Sequence, residues 1–253
     1  CLSGRGAFTP MLLRQTCYGS PMPDKAFTLT SYNIRKAIGR DGKRNPRRIV
    51  DVLNATAADI VILQEADFRF KGRRAIFSAT ELFDRTGLTV IDVAPDHPGL
   101  GWHGNMLLVR KTVHVTSVHP IPLSGLEPRG AVAAQLEIGA RKLNLIHAHL
   151  GLVPRHRTRQ AQDLAIYIDP SQPTVLAGDL NAAGKSPPSL APIFARLSEA
   201  ALGPSFPTRW PMIRFDRIFH NDALQLKSAQ VHDTPLARQA SDHFPVSATF
   251  RFV

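Results

Sequence analysis

The sequence predicts a layered α/β fold, and three observations lead to this prediction. Short apolar runs that suit strands buried on both faces recur along the chain, most plainly at residues 174–177. Segments with helical spacing of apolar residues lie between several of these runs. The chain also has 253 residues with 43% hydrophobic content, which is enough for one large core, so we expect a single domain.

The first 25 residues contain Gly, Pro and Ser without periodicity, so we expect a poorly ordered extension before a domain over residues 26–253. Cys1 and Cys17 are too few for a disulfide framework. No apolar run approaches the roughly 20 residues that span a bilayer, so we expect a soluble chain as given. We also expect a monomer. Cys1 fits a lipidated lipoprotein and a truncated fragment equally well, which leaves the native N-terminus and the cellular location open.

In the first half of the chain, apolar strands alternate with helical segments. Pro46 suits the first position of a helix capped by Asn45, with an apolar stripe over residues 49–53. The strand at 60–63 ends in Gln64 and Glu65, so a carboxylate follows a buried strand. The other elements predicted here are strands at 26–34 and 88–93 and a helix at 79–86.

The second half of the chain is richer in strands. A hairpin at 139–142 joins two of them, and His147 and His149 alternate on one face of the second. In a helix over 154–168, Arg155 and Arg157 occupy the first turn, where the macrodipole disfavours cations, which indicates another use for them. The predicted strands are 106–109, 113–122, 131–138, 143–150, 174–177, 214–219, 223–231 and 246–252, with a further helix over 190–198.

The formal charge of +11 and the pI of about 10.3 favour a polyanionic partner such as nucleic acid, an anionic membrane or a phosphorylated substrate. A solvated basic face or a generally basic proteome would give the same charge. The bases form three clusters, namely Arg35, Lys36, Arg40, Lys43, Arg44, Arg47 and Arg48; Arg69, Lys71, Arg73 and Arg74; and Arg155, Arg157 and Arg159.

Polar residues stand where the predicted strands end. After the strand at 174–177, Asp179 and Asn181 occupy alternate positions and would face the same way, about 6–7 Å apart. Turn chemistry alone would also explain them, since Gly, Asp and Asn are ordinary turn residues. Polar residues also stand next to the ends of other predicted strands, at Asn33, Glu65, His149, Asp216, Asp242 and His243.

This ordered set resembles the endonuclease/exonuclease/phosphatase superfamily, which includes pancreatic deoxyribonuclease, base-excision endonucleases, neutral sphingomyelinases and inositol polyphosphate phosphatases. The matching stretches span residues 26 to 253 in the family's order. They are Tyr32-Asn33-Ile34-Arg35, Ile62-Leu63-Gln64-Glu65, Gly104-Asn105-Met106-Leu107-Leu108, Arg129-Gly130-Ala131, His147-Ala148-His149-Leu150, Gly178-Asp179-Leu180-Asn181, Phe215-Asp216-Arg217-Ile218 and Ser241-Asp242-His243.

The resemblance implies a four-layer α/β/β/α sandwich of two packed mixed sheets with outer helices, and a site at one rim. It also implies hydrolysis of a phosphate ester with Mg²⁺, or with Mn²⁺ in some members. Glu65 matches the family's metal ligand, Asn33 lies beside it, and Asp242 is a further candidate ligand. Hard Mg²⁺ prefers such oxygen ligands.

The resemblance also assigns catalytic roles. Asp179 matches the carboxylate that orients or deprotonates the attacking water, and Asn181 would hold a phosphate oxygen. His243 matches the catalytic histidine with Asp216 as its orienting carboxylate. His149 would be a second phosphate-facing histidine, His147 would pack behind it, and the predicted phosphate-binding residues are Arg35, Asn105 and Arg129.

We therefore expect a metal-dependent phosphodiesterase that acts on nucleic acid. Hydrolysis of a phospholipid or of a small phosphoester is the alternative, and a non-catalytic phosphate-binding module is a remote one. A non-catalytic relative should have lost Glu65, Asp179 or His243, and all three are present. The aromatic content of 7% gives no indication of a base-stacking surface, and no hydrophobic hairpin for lipid insertion is evident.

Overall fold

The computed structural model describes residues 26–68, 72–96 and 98–253, which form two six-stranded mixed sheets packed face to face. The predicted extension at 1–25, with Cys1 and Cys17, lies outside the described residues, as do Arg69 and Lys71 of the second basic cluster. In the described part of the chain, no helix is both long enough and apolar enough to cross a membrane.

The first sheet has the strand order β11-β12-β1-β2-β4-β3. Its two central strands, β1 and β2, run parallel, so both end at the same edge of the sheet. The strands of this sheet are β1 (Phe27–Asn33), β2 (Ile60–Gln64), β3 (Leu88–Ile91), β4 (Met106–Arg110), β11 (Leu224–Val231) and β12 (Val246–Phe252).

The second sheet has the order β5-β6-β7-β8-β10-β9. The parallel pair in this sheet is β7 and β8, which again directs two strand ends to one edge. Its strands are β5 (Val113–Pro122), β6 (Gly130–Ile138), β7 (Arg141–His149), β8 (Thr174–Asp179), β9 (Ser198–Glu199) and β10 (Asp216–His220).

Helices cover the outer faces of both sheets and give the four layers that were predicted. One apolar cluster lies between the sheets, a second joins α1, α2 and α5 to the first sheet, and a third joins α3 and α4 to the second. Burial of these three apolar interfaces drives the layering. The helices are α1 (Pro46–Thr56), α2 (Ala79–Thr86), α3 (Pro154–Ala165), α4 (Ala191–Phe194) and α5 (Pro235–Ala240).

Two predicted helices are too long. The α3 helix ends at Ala165 rather than at 168, and the chain after it tightens into bonds from Tyr167 N to Leu164 O and from Ile168 N to Ala165 O. The helix predicted over 190–198 stops at Phe194, since Ser198 and Glu199 pair with β10 instead.

The sequence analysis missed α5, which spans only six residues and therefore shows no clear periodicity. Its first turn is capped by the Thr234 hydroxyl, which accepts a 3.1 Å hydrogen bond from Ala237 N. This helix leads directly into the Ser241-Asp242-His243 segment, so it fixes one wall of the site described below.

Candidate active site

The first sheet brings Asn33 and Glu65 to its rim. Asn33 is the last residue of β1 and stands in register with Gln64 at the end of β2. Glu65 follows at once with φ +54, a left-handed conformation that few side chains adopt. This turn directs the Glu65 side chain out of the strand, where 26% of it is exposed.

The second sheet brings three further residues to the same rim. His149 at the end of β7 is in register with Asp179 at the end of β8, and Asp179 is in register with Asp216 at the start of β10. Neighbouring strands lie about 4.8 Å apart, so these side chains are adjacent across the sheet. The register alone therefore assembles a row of one histidine and two carboxylates.

Asp179 is the centre of the site. Its Oδ2 accepts a 2.8 Å hydrogen bond from Asn33 Nδ2 and lies 3.4 Å from His149 Nε2 and 3.9 Å from His243 Nε2. The residue is only 1% exposed. One buried carboxylate is thus shared by groups from both sheets.

Asp216 holds the ring of His243 in place, and the catalytic role that the resemblance implies for this pair stays a prediction. His243 Nδ1 lies 2.8 Å from Asp216 Oδ2, so the opposite ring nitrogen, Nε2, is directed toward Asp179. Burial lowers the pKa of His243, but the negative charges of Asp216 and Asp179 outweigh it and raise the pKa to about 10. The ring is therefore an imidazolium at neutral pH.

The sequence analysis missed the groups that surround this pair. The buried Ser205 hydroxyl donates a short hydrogen bond to Asp216 Oδ2. The ring of Phe206 lies 4.7 Å from that of His243, and the ring of Phe215 lies 6.4 Å from it. Ser205 and Phe206 follow a stretch without periodicity, so only their adjacency to Asp216 in the folded chain reveals them.

Asn181 is fixed by contacts within the protein. Its backbone N donates to Asp179 Oδ1 at 3.1 Å, and its Nδ2 donates to the carbonyl of Leu150 at 3.0 Å. Its φ of +50 is again left-handed. These bonds hold the side chain beside Asp179, and its role toward a phosphate oxygen stays a prediction.

The predicted metal ligands offer three hard oxygen groups. The Asn33 side-chain oxygen accepts a 3.0 Å bond from Arg35 N, and Asp242 Oδ2 lies 3.2 Å from Arg35 Nε. The Glu65 carboxylate is paired with the ammonium group of Lys36, so a positive charge already lies next to it. Carboxylate and amide oxygens suit Mg²⁺ or Mn²⁺, so the residues present fit a divalent metal.

A second group of potential ligands serves a different purpose. Asp179, Asp216 and His243 each bring one ligand atom within 4.8 Å of the others. However, Asp216 Oδ2 already accepts bonds from His243 and Ser205, so this carboxylate oxygen and the Nδ1 of His243 are occupied by each other. We regard this group as a hydrogen-bonded catalytic unit.

Arg129 lies beside His149, with its Nη1 2.8 Å from His149 Nε2, and its Nε donates to Glu127 at 3.2 Å. It lines a small open cleft, together with Lys36, Glu65, Asp67, Arg73, His103, Pro128 and His149. Cations therefore line the approach to Glu65. That placement is compatible with the predicted phosphate contacts of Arg129.

Asn105 lies within the wall of the site rather than in the cleft. It is fully buried, and its Nδ2 donates to the carbonyls of Gly130 at 2.8 Å and Trp102 at 3.1 Å. These bonds tie the start of β4 to the start of β6. The structure therefore gives Asn105 a role in positioning backbone, and its predicted phosphate contact stays a prediction.

Arg157 does not belong to the basic surface on which we had placed it. It is 7% exposed, and its guanidinium donates to the carbonyls of Gly151 and Leu152 at 2.9 and 3.0 Å and to Ser189 Oγ at 3.0 Å. These bonds hold the loop after His149. That structural use explains a cation in the first turn of α3.

His147 packs behind His149, as expected. It is fully buried, and neither ring nitrogen has a hydrogen-bond partner within the described part of the chain. Burial alone lowers its pKa to about 3, so the ring is neutral. It fills the core between the sheets and leaves the chemistry to His149.

The comparison with protein families decides the wider relationship. A model described as the endonuclease/exonuclease/phosphatase family matches residues 30–243. The chain belongs to this family. Members of the family are phosphoester hydrolases that typically depend on divalent metal ions. A search of curated proteins gives no match.

Solved structures confirm the family's fold. An endonuclease/exonuclease/phosphatase from Beutenbergia cavernae aligns with a TM-score of 0.71 at 20% identity, over 90% of this chain and 72% of that one. The human Nocturnin catalytic domain with bound sulfate aligns with a TM-score of 0.70 at 22% identity, over 91% of this chain and 96% of that one. TDP2 of D. rerio, complexed with single strand DNA product, aligns with a TM-score of 0.68 at 17% identity, over 90% of this chain and 100% of that one.

Proposed function

We propose that this protein hydrolyses phosphodiester bonds in nucleic acid by a metal-dependent attack of water. The observation that carries the proposal is the shared carboxylate of Asp179, which contacts Asn33, His149 and His243 at one rim. A carboxylate next to an imidazolium and hard oxygen ligands can position water, phosphate and metal together.

In this proposal, Asp179 orients the attacking water and accepts its proton. His243 is an imidazolium whose charge stabilises the phosphate oxygens in the transition state, and Asp216 keeps its ring in place. The amide of Asn181 and the ring of His149 contact the phosphate from the second sheet. Each role uses a group whose position is already fixed by hydrogen bonds before substrate binds.

Glu65, Asn33 and Asp242 would hold the metal. When bound, Mg²⁺ supplies Lewis-acid stabilisation of the charge on the phosphate. Lys36 is the present partner of Glu65, and it would have to release the carboxylate for a metal to bind there.

Nucleic acid is the favoured substrate because cations concentrate around the site. Arg35 contacts Asp242 directly, and the exposed residues Arg40, Lys43 and Arg44 follow it in the same loop. The formal charge of +11 adds long-range attraction for a polyanion. The TDP2 structure with a DNA product shows that one relative of this fold binds nucleic acid.

Phospholipid hydrolysis is a second candidate, supported by exposed apolar side chains on the loops next to Arg129. Leu126 is 86% exposed and Leu152 is 63% exposed. The two loops are joined by a 2.7 Å bond from Leu152 N to Glu127 Oε1, close to Arg129 and His149. Exposed aliphatic groups beside basic ones are also typical of lipid-binding surfaces.

The deciding experiment is a substrate panel assayed with Mg²⁺, with Asp179→Asn as the inactive control. Plasmid DNA, abasic duplex, single-stranded DNA, RNA, phospholipid vesicles and bis-p-nitrophenyl phosphate would be compared at equal enzyme. We expect cleavage of nucleic acid and of the small diester, lost in the variant. Robust vesicle hydrolysis without nucleic acid cleavage would establish the lipid candidate instead.

A further inference from the structure

A hairpin beside the catalytic histidine presents an exposed aromatic ring. We call residues 208–213 the Trp210 hairpin. At the base of the hairpin, Phe206 pairs with Ile213 through a 2.9 Å hydrogen bond from Ile213 N to Phe206 O. The backbone N–H of Trp210 donates to Pro207 O at 3.0 Å. The Trp210 side chain is 69% exposed.

The hairpin is anchored to the site through Thr208. Thr208 N donates to Asp242 O at 2.9 Å, and the Thr208 hydroxyl donates to Ser241 O at 2.9 Å. Arg238 of α5 donates to Thr208 O at 2.7 Å. Thr208, which contacts the backbone of the predicted metal ligand Asp242, precedes Trp210 by two residues in the chain.

Phe206 connects the base of the hairpin to the catalytic ring. Its ring centroid lies 4.7 Å from that of His243 and 5.2 Å from that of Phe215. A substrate phosphate held by Asp179 and His243 would therefore have this aromatic wall beside it, and the Trp210 hairpin begins two residues after Phe206. The nucleotide next to the reacting phosphate is the part of a substrate that would reach the Trp210 ring.

The charge around the ring is basic. Arg209 is exposed next to Trp210, and Arg214 follows the hairpin. The loop containing Arg40 contacts the end of α5, because Arg40 N donates to Gln239 O at 3.1 Å. A strand whose phosphates follow these cations would place its bases near Trp210.

We propose that Trp210 is a stacking surface for an unpaired base adjacent to the cleaved phosphodiester, with Arg209 and Arg214 contacting the flanking phosphates. This inference rests on the proposed function and specifies its substrate as single-stranded or locally unpaired nucleic acid. An exposed indole offers a flat face that any base can stack on, and cations beside it neutralise the backbone. The low aromatic content of 7% did not predict this surface. A single exposed ring is enough to stack on one base, and one residue does not change the overall composition.

A lipid surface is the alternative partner of the Trp210 hairpin, and the hairpin suits it less well than it suits an unpaired base. Met212 is an exposed apolar side chain here, at 75%, but Pro211 between it and Trp210 is half-buried. The exposed leucines Leu126 and Leu152 belong to other loops, around Arg129. Substitutions in the two regions therefore separate the two occupants.

The test measures binding of a fluorescent single-stranded oligonucleotide and of a blunt duplex, in the Asp179→Asn background to prevent cleavage. Trp210→Ala should weaken single-strand binding by roughly 5- to 150-fold, the range for removal of one stacked base, and should affect the duplex less. Trp210→Phe should restore most of the affinity. Tyr167→Ala is the matched control, since Tyr167 is 41% exposed and contacts Asn144 near the opposite end of β7.

A second readout uses the intrinsic fluorescence, since the chain contains two tryptophans. Oligonucleotide should quench the emission of the protein, and Trp210→Phe should remove most of that quenching while binding persists. Equal single-strand binding by Trp210→Ala and Tyr167→Ala would overturn the inference. Loss of binding to anionic vesicles in Trp210→Ala, with oligonucleotide binding unchanged, would assign the hairpin to a lipid surface.

The two proposals fail in different ways. If the wild type cleaves single strands but Trp210→Ala has an unchanged KM for them, the proposed function stands and the stacking surface is wrong. If oligonucleotides bind through Trp210 but are not cleaved with Mg²⁺, the binding surface stands and the proposed function is wrong. If the wild type neither binds nor cleaves them, both are wrong.

Discussion

Asn33 donates a 2.8 Å hydrogen bond to Asp179, although 146 residues separate them in the chain. Asn33 ends a strand of the first sheet and Asp179 ends a strand of the second, so this bond joins the two sheets at the rim. It places a predicted metal-site residue in direct contact with the proposed catalytic carboxylate. The geometry of the site therefore depends on the packing of the two sheets.

Metal dependence should be centred on Glu65. Chelation should abolish hydrolysis, and added Mg²⁺ or Mn²⁺ should restore it. Glu65→Gln should raise the metal concentration for half-maximal activity at least about tenfold, because an amide is a weaker ligand than a carboxylate. Glu81→Gln, at an exposed glutamate on α2, is the control. Undiminished activity in excess chelator would contradict the metal requirement, and wild-type behaviour of Glu65→Gln would contradict this ligand.

The catalytic unit should show strong non-additivity. Asp179→Asn and His243→Ala should each lower kcat by at least about 100-fold, the lower range for general acid–base groups. Asp216→Asn should lower kcat with little change in substrate binding, because His243 loses its orienting partner. The His243→Ala/Asp216→Asn double variant should be little worse than His243→Ala alone. Steady-state kinetics on bis-p-nitrophenyl phosphate provide the measurement, and fully additive effects would place Asp216 outside this unit.

The basic loop after Arg35 should guide a polyanion to the rim. The Arg40→Ala/Lys43→Ala/Arg44→Ala triple variant should flatten the dependence of log affinity on log salt, by roughly 0.7 to 0.9 for each phosphate that these side chains neutralise in the wild type. It should also raise KM for long DNA while barely affecting the small diester.

The control for the basic loop removes an equal charge elsewhere, at the exposed residues Lys142, Lys227 and Arg251. Binding of DNA measured across a salt series compares the two triple variants. An identical salt slope in both would show that net charge, rather than this loop, attracts the substrate.

His147 should make the fold sensitive to acid. Its pKa is about 3 in the folded protein and near 6.5 when unfolded, so the unfolded state binds the additional proton between these values. The stability contributed by the neutral ring is present above pH 6.5 and is lost as the pH falls toward 3, by about 1.4 kcal/mol per pH unit. Other groups add their own pH dependence, so the comparison between variants is the informative quantity.

The measurement is urea unfolding of the wild type and His147→Leu between pH 7 and pH 4.5. The variant should lose less stability over this range, because leucine has no proton to gain and leaves no buried ring nitrogen without a partner. His114→Leu, at an exposed histidine on β5, is the control. Parallel loss of stability in wild type and His147→Leu would refute the assignment.

Local patterns in the sequence were enough to predict the layered class and most elements, because apolar periodicity and helix caps depend on neighbouring residues alone. The cap at Asn45 and the strand ends at Asn33, Glu65 and Asp179 are examples. Resemblance of short motifs then identified the family, since their order along the chain is specific even though each is brief. These signals require no knowledge of which sheet a strand joins.

The contacts between these residues depend on how the two sheets form and pack. Sheet register placed His149, Asp179 and Asp216 side by side, and sheet packing brought Asn33 onto Asp179. The buried role of Arg157 and the anchoring of the Trp210 hairpin beside the metal-ligand candidate were equally absent from the local pattern. Burial and hydrogen bonding between distant segments fix these contacts, and no periodicity along the chain encodes which distant atoms a side chain will touch.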